Sequence, residues 1–301
     1  MKTTSEHRQA VLAMHGSGMS KAAIMRATGL QRASVSNIVN APNGHDTSMA
    51  RYASSHMHPS EVAPDDWNSP AVKEGRTRFP TRVFASAERP RLLIPGINNR
   101  KTGARVIKGD WAGMPIYTLT LEERKTCPTH CPIYAGCYGN SSHFAPRVAN
   151  DATFIYLLDA EVNKLAMRHP HGYVVRLHIL GDFYSKFYSH EWARMLRDVP
   201  QLHIFGYTAR TPEDDPEIWS GIAAMNRFND RCFVRRSSAK PRPGGASVID
   251  WIPETSRTPE GIVCPAQTSK TACCGTCGLC WSKSAREETI LFIKHGPRRH
   301  R

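Results

Sequence analysis

Nowhere in its 301 residues does the chain carry an apolar run near the roughly 18–20 residues that a membrane-spanning helix needs. Its opening stretch, MKTTSEHRQAVL, lacks the apolar core of a signal peptide. A basic amphipathic helix with a bulky apolar face is missing as well. These absences exclude a membrane partner and lead us to expect a cytoplasmic protein. The cytoplasm keeps thiols reduced, so the nine cysteines are not expected to form a disulfide framework. No internal repeat is visible. Acidic residues are in short supply: 26 Asp and Glu stand against 40 Lys and Arg, giving a formal charge of +14 and a pI of about 9.6. Such an excess concentrates polyanions at the surface, which admits nucleic acid as a partner without selecting it.

What is present has the composition of a globular protein, 40% hydrophobic and 22% charged, and enough length for one large domain and one small. Three short helices are expected in residues 1–40. The first runs from about Ser5 to His15, with Val11 and Met14 on one side. Ser20 caps the second, Lys21 to Thr28, and Gly29 makes a tight turn into the third, Gln31 to Val39. Residues 41–90 are rich in Pro, Ser, Asn, Asp and Gly and read as a largely irregular linker, touching the next domain through Trp67 or Phe79.

From residue 91 to 301 strands and helices alternate. Strands are expected at Pro115–Leu119, Tyr173–Leu180, His203–Tyr207, Cys232–Arg236 and Ile290–Ile293. Helices are expected at Asn150–Met167, His190–Asp198 and Pro216–Phe228, the first burying Phe154, Leu157, Leu158, Val162 and Leu165. Helix-length connections between strands imply parallel pairing. The fold class is therefore α/β, a partial (βα) barrel-like parallel sheet with cysteine-ligated metal, beside a small all-α domain.

In KAAIMRATGLQRASVSNIVN, Ile24 and Leu30 bracket the turn while Val35 and Ile38 pack the third helix on the second. This spacing over some twenty residues resembles the helix-turn-helix family, with Met25 where the family usually has Ala. The resemblance implies double-stranded DNA as the partner, with Gln31, Arg32, Ser34, Ser36 and Asn37 facing the major groove. A helical hairpin used only for packing is the plainer alternative.

Eight of the nine cysteines fall in two short clusters, a distribution that points to metal, whereas Cys232 stands alone and reads as core. The first cluster, Cys127, Cys131 and Cys137, offers three thiolates with no evident fourth unless His130 or His143 serves. Three cysteines on one loop suit a cubane [4Fe–4S] cluster with one open iron. The second offers Cys264, followed by proline, and Cys274, Cys277 and Cys280 in a C-x2-C-x2-C run, with Cys273 or Cys274 a spare. That set suits an iron–sulfur cluster and a closed zinc site equally.

In parallel α/β folds, ligands gather at the carboxyl ends of strands. The first cluster, Gly181-Asp182, Arg210 and Arg235-Arg236 all follow expected strands. A cysteine loop after the first strand, an aromatic beside its last cysteine, and LHILGDF after the second strand resemble the radical S-adenosylmethionine enzymes, although the spacing here is C-x3-C-x5-C rather than C-x3-C-x2-C. The resemblance implies a cluster on Cys127, Cys131 and Cys137 that binds S-adenosylmethionine, with Gly181 and Asp182 at its methionine end. It also implies catalytic roles for Asp182, Arg210 and Arg235. Separately, HILGDFYS, FGYTAR and CPAQT...CGTCGLCW resemble a phage and prophage family named after gene product 88, to which no activity attaches. The expected function is a phage-type DNA-binding protein with a radical-type iron–sulfur domain acting on or near nucleic acid. The alternative is a zinc- or iron–sulfur-containing DNA-binding regulator without catalysis.

Overall fold

The computed structural model describes residues 5–40 and 66–294. In the first stretch, helices α1 (Ser5–Gly16), α2 (Lys21–Thr28) and α3 (Arg32–Asn40) enclose a small core of Val11, Ile24, Leu30, Val35 and Ile38. The Ser20 side chain accepts from the amide of Ala23, which starts α2, and Gly29 ends it in the left-handed region at φ 66°. Helix limits thus fall within a residue of those read from the sequence, because caps and apolar spacing agree here. Gln31 and Arg32 are exposed and Ser34 and Ser36 half-buried, while the side chain of Asn37 lies outside the described residues.

The second stretch is mixed α/β around a nine-stranded, mostly parallel sheet. Its strands are β2 (Ile94–Pro95), β3 (Ile116–Thr118), β5 (Tyr173–Leu177), β6 (Leu202–Thr208), β7 (Cys232–Ser238), β8 (Ala246–Ile249), β9 (Arg257–Thr258), β10 (Gly261–Val263) and β11 (Ile290–Ile293). They lie in the order β2-β3-β5-β6-β7-β8-β11-β10-β9. Every neighbouring pair from β3 to β10 is parallel, and only the outermost strands, β2 and β9, run antiparallel. Three helices, α5 (Phe154–Arg168), α6 (Lys186–Asp198) and α7 (Pro216–Asn226), supply the crossovers between β3 and β7.

Strand alternation separates the two faces of this sheet. Tyr173, Val175, Leu177, Leu202, Ile204, Cys232 and Val234 join Phe154, Leu158, Val162, Leu165, Trp192, Ile222 and Met225 in one large core. All three helices therefore cover the same face. The other face presents Ile116, Val174, Phe205 and Phe233, and there Trp111 and Trp281 pack with Cys274 and Cys280. Cys232 is fully buried on the helical side, and burial pushes its thiol up to about 12.

The expected linker divides at residue 66. Its first part, residues 41–65, lies outside the described residues. The rest packs on the sheet domain, which corrects the linker reading for residues 66–90. It contains the short helix α4 (Pro70–Lys73) and strand β1 (Val83–Phe84), which pairs in parallel with β4 (Arg147–Val148). Trp67 stacks on Tyr134, ring centroids 6.3 Å apart, and Phe79 meets the His143 ring. These contacts are long-range and leave no periodic signal in a segment rich in proline and serine.

No helix among the described residues is long and apolar enough to cross a membrane.

Candidate metal centre

The first cysteine loop begins just beyond β3 and is tied down by a buried ion pair. Arg147, fully buried on β4, donates to both carboxylate oxygens of Glu123 at 2.8 and 2.9 Å, and Thr77 donates to the same carboxylate at 2.7 Å. Burial alone would raise the Glu123 carboxyl, but these hydrogen bonds outweigh it and hold it below the ordinary range. The next residue, Arg124, donates to the carbonyls of Tyr134 and Arg76, tying the loop to the segment before β1.

This frame carries Cys127, Cys131 and Cys137, each half-buried. Burial pushes the Cys127 thiol well up, and the negative charges of Asp182, Cys131 and Cys137 push it further. Burial carries Cys131 up to about 12, with Asp182 and Cys137 adding to the rise. The three thiols thus lie near enough to influence one another's charge. The proposed fourth ligands do not join it. His130 Nε2 faces the carbonyl of Ala209 at 3.1 Å and Asp215 at 3.5 Å, and His143 contacts its own loop and the Phe144 ring.

Gly181 and Asp182 stand against this loop from the end of β5. Gly181 has φ 84°, and a Cβ on it would lie 2.6 Å from both Leu121 Cβ and Thr126 Oγ1. Only glycine lets the two segments approach so closely. The carboxylate of Asp182 accepts from the Thr208 hydroxyl at 2.6 Å and from the amides of Ala209 and Phe183, each at 2.7 Å. Burial nevertheless raises it to about 6. Asp182 therefore binds the ends of β5 and β6 together. Replacing it by Ala strands three buried donors, and melting should show a loss on the order of 2 kcal/mol. An unchanged midpoint would remove this tying role.

The two arginines expected to be catalytic are also occupied within the protein. Arg210 donates to the carbonyls of Phe183 and Thr126 and pairs with Asp215 at 2.7 Å. Arg235 donates to the carbonyls of Cys280, Gly244, Arg286, Glu288 and Ala285. Its guanidinium is the post around which residues 280–288 wrap. Arg236 pairs with Glu213 at 3.1 Å. The structure thus gives all of these residues architectural work at the rim.

The second thiol group lies on the sheet face opposite the helices. Cys264 follows β10, its amide bonded to the Leu291 carbonyl. Cys274 and Cys277 bound the single-turn helix α8 (Cys274–Cys277), and Cys280 follows it. Trp281 anchors the segment, stacked on Trp111 with centroids 5.6 Å apart and packed on Phe205. Burial raises Cys264 up to about 12, and Cys280 and Cys277 add to it. Cys274 is raised by burial and then by Cys280, Cys264 and Cys277. Four thiols therefore share one neighbourhood. Cys273 stands outside it, its sulfur set 3.6 Å from the Thr276 hydroxyl.

Two residues that sequence reasoning passed over sit on this face. Tyr207 donates its hydroxyl to the sulfur of Cys280 at 2.7 Å. Arg176 lies over the Tyr207 and Phe205 rings, 4.7 and 5.4 Å from their centroids. Its charge favours the thiolate form of both Cys274 and Cys280. The signal was present in YVVRL, where a charge interrupts a strand otherwise buried.

As placed, no three or more His, Cys, Asp or Glu side chains among the described residues stand close enough to hold a metal ion. No protein-family profile, curated protein or solved structure matches the chain.

Proposed function

We propose that this protein binds duplex DNA through a helix-turn-helix formed by α2 and α3, and carries an iron–sulfur cluster on Cys127, Cys131 and Cys137. In this reading the sheet is a partial (βα) barrel of the radical S-adenosylmethionine type, acting on or near nucleic acid. Cys264, Cys274, Cys277 and Cys280 hold a second metal centre. The observation that carries the reading is the placement of three half-buried cysteines on one loop, with the Gly181-Asp182 segment packed against that loop beyond the carboxyl end of β5. The donor chemistry fits: soft thiolates and three ligands on one loop. Binding requires the thiol side chains to turn toward a common centre. Cys127, Cys131 and Cys137 would hold such a cluster, which would supply one-electron chemistry. The chain's own contribution is to fix the loop through Glu123, Arg124 and Arg147 and to admit close approach at Gly181.

A second reading, a metal-containing DNA-binding regulator without catalysis, is favoured by one observation. Asp182, Arg210 and Arg235 have their polar atoms committed to protein partners. Anaerobic purification with iron, sulfide and zinc quantitation, followed by S-adenosylmethionine titration, separates the readings. Iron and sulfide with S-adenosylmethionine binding support the first. Metal without that binding, together with a DNA affinity that changes on metal loss, supports the second.

The DNA-binding reading makes its own prediction. Arg32→Ala should weaken duplex binding about tenfold or more, matching the roughly 1–3 kcal/mol of a good base contact. Fluorescence anisotropy at several salt concentrations would measure it. Affinity indifferent to both salt and Arg32 would remove α3 from the DNA groove.

A further inference from the structure

The loop between β2 and β3 is not used by either thiol group, yet it is shaped by one of them. Between residues 99 and 110 it carries Arg100, Lys101, Arg105 and Lys108, all exposed. The only acid in that stretch is Asp110, and Lys283 takes it at 3.4 Å. None of the four cations has an ion-pair partner among the described residues. Four exposed cations within nine residues of sequence, with no counter-ion among the described residues, make this loop a positive surface.

This surface is held rigidly. Val106 and Thr102 are buried beneath it. The amide of Cys274 donates to the Lys101 carbonyl at 2.7 Å, that of Gly275 to Thr102 at 3.0 Å, and that of Ile107 to the Gly275 carbonyl at 2.9 Å. A Cβ on Gly275 would lie 2.2 Å from the Arg105 carbonyl oxygen, so the glycine inside the C-terminal thiol segment is what lets the loop seat. The cations are thus displayed from a backbone fixed before any partner arrives, which lowers the entropy lost on binding.

We infer that Arg100, Lys101, Arg105 and Lys108 form a second nucleic-acid contact, a phosphate-docking surface separate from α3 and seated on the C-terminal thiol segment. The inference rests on the reading of this protein as DNA-binding. Its chemistry is that of backbone contact: cations without interleaved aromatics neutralise phosphates and position a duplex without reading bases.

The test is the salt dependence of binding to a short random-sequence duplex, using the full chain. Each phosphate contact contributes about 0.9 to the slope of log affinity against log salt, so changing all four to Gln should flatten it by up to about 3.6. Affinity at low salt should fall tenfold or more, with an unchanged circular dichroism spectrum. Arg100→Gln and Lys108→Gln singly should each remove about 0.9 of slope, which keeps the test valid if the fourfold variant folds poorly. The same measurements in an Arg32→Ala background separate the two surfaces. Loss through the loop with no effect of Arg32 leaves this inference standing and sinks the α3 contact. Loss through Arg32 with an unchanged slope in the loop variants overturns the loop surface alone. Binding to anionic vesicles that depends on the four cations, with duplex affinity unaffected by them, also overturns it.

Discussion

Replacing any one of Cys127, Cys131 or Cys137 by Ala should abolish iron and sulfide binding at the first loop in protein prepared without oxygen. The expectation follows from the proposed cluster and from the count of ligands. The loop carries three cysteines, and His130 and His143 face elsewhere, so neither histidine replaces a lost thiolate. The intact protein, reduced by dithionite, should give a paramagnetic resonance spectrum that changes when S-adenosylmethionine is added. Each Ala variant should lose both the spectrum and the change. Its affinity for DNA through α3 should remain. The C-terminal thiols serve as an internal reference, because Cys277→Ser should lower soluble yield and remove only metal bound at the proposed second centre. Zinc alone in the reconstituted intact protein, with no iron retained, would sink the radical reading.

Arg147→Met should destabilise the sheet domain by about 3–5 kcal/mol, the usual result of leaving one member of a buried ion pair without its partner. Arg147 and Glu123 have side chains 0% and 1% exposed, and Arg147 also donates to the carbonyls of Ser142, Ala145 and Gly139. Its removal therefore loosens the segment from Cys137 to β4 as well as exposing Glu123 to an unpaired burial. Urea unfolding would measure the loss. The double variant Glu123→Leu with Arg147→Met should recover much of it, since no charge then remains buried. The pH dependence follows from the same pair. The folded-state pKa of Glu123 is lowered, so its contribution is fully present above the ordinary carboxylate range and is lost as pH falls through the folded value. In the Arg147→Met protein this acid-side loss should shrink or reverse. Equal stability of wild type and Arg147→Met at neutral pH would show that the pair does not hold the loop.

Some of this protein was determined by sequence alone, and for reasons that are local. The N-terminal helices were legible because Ser20, Gly29 and the spacing of Ile24, Leu30, Val35 and Ile38 act within a turn or two of themselves. Helices α5 and α7 were legible because one face of each is apolar at the helical period, and strands β3, β5, β6, β7 and β11 because each contains a short, largely apolar run. The grouping of the cysteines was written in their spacing, and Cys232 was set apart by its isolation.

What tertiary structure decided is what depends on contacts across the chain. Strands β8 and β10 are four and three residues long and carry little pattern, and each is stabilised by neighbours brought from afar: β11 pairs with both. Residues 66–90 look like a linker until Trp67 meets Tyr134 and Phe84 pairs with Val148. Which cysteines share a neighbourhood was decided by the fold, because Cys264 reaches Cys280 only through the β10–β11 pairing, while Cys273 turns toward Thr276. The partners of the rim residues were also decided by the fold. Position at a strand's end identified Asp182, Arg210 and Arg235 as chemical groups, but whether a polar side chain faces a ligand or a protein carbonyl is settled by which backbone donors and acceptors the fold leaves buried beside it. Here the turn after β6 and the wrap of residues 280–288 leave amides and carbonyls that these three side chains satisfy, and burial makes that satisfaction obligatory.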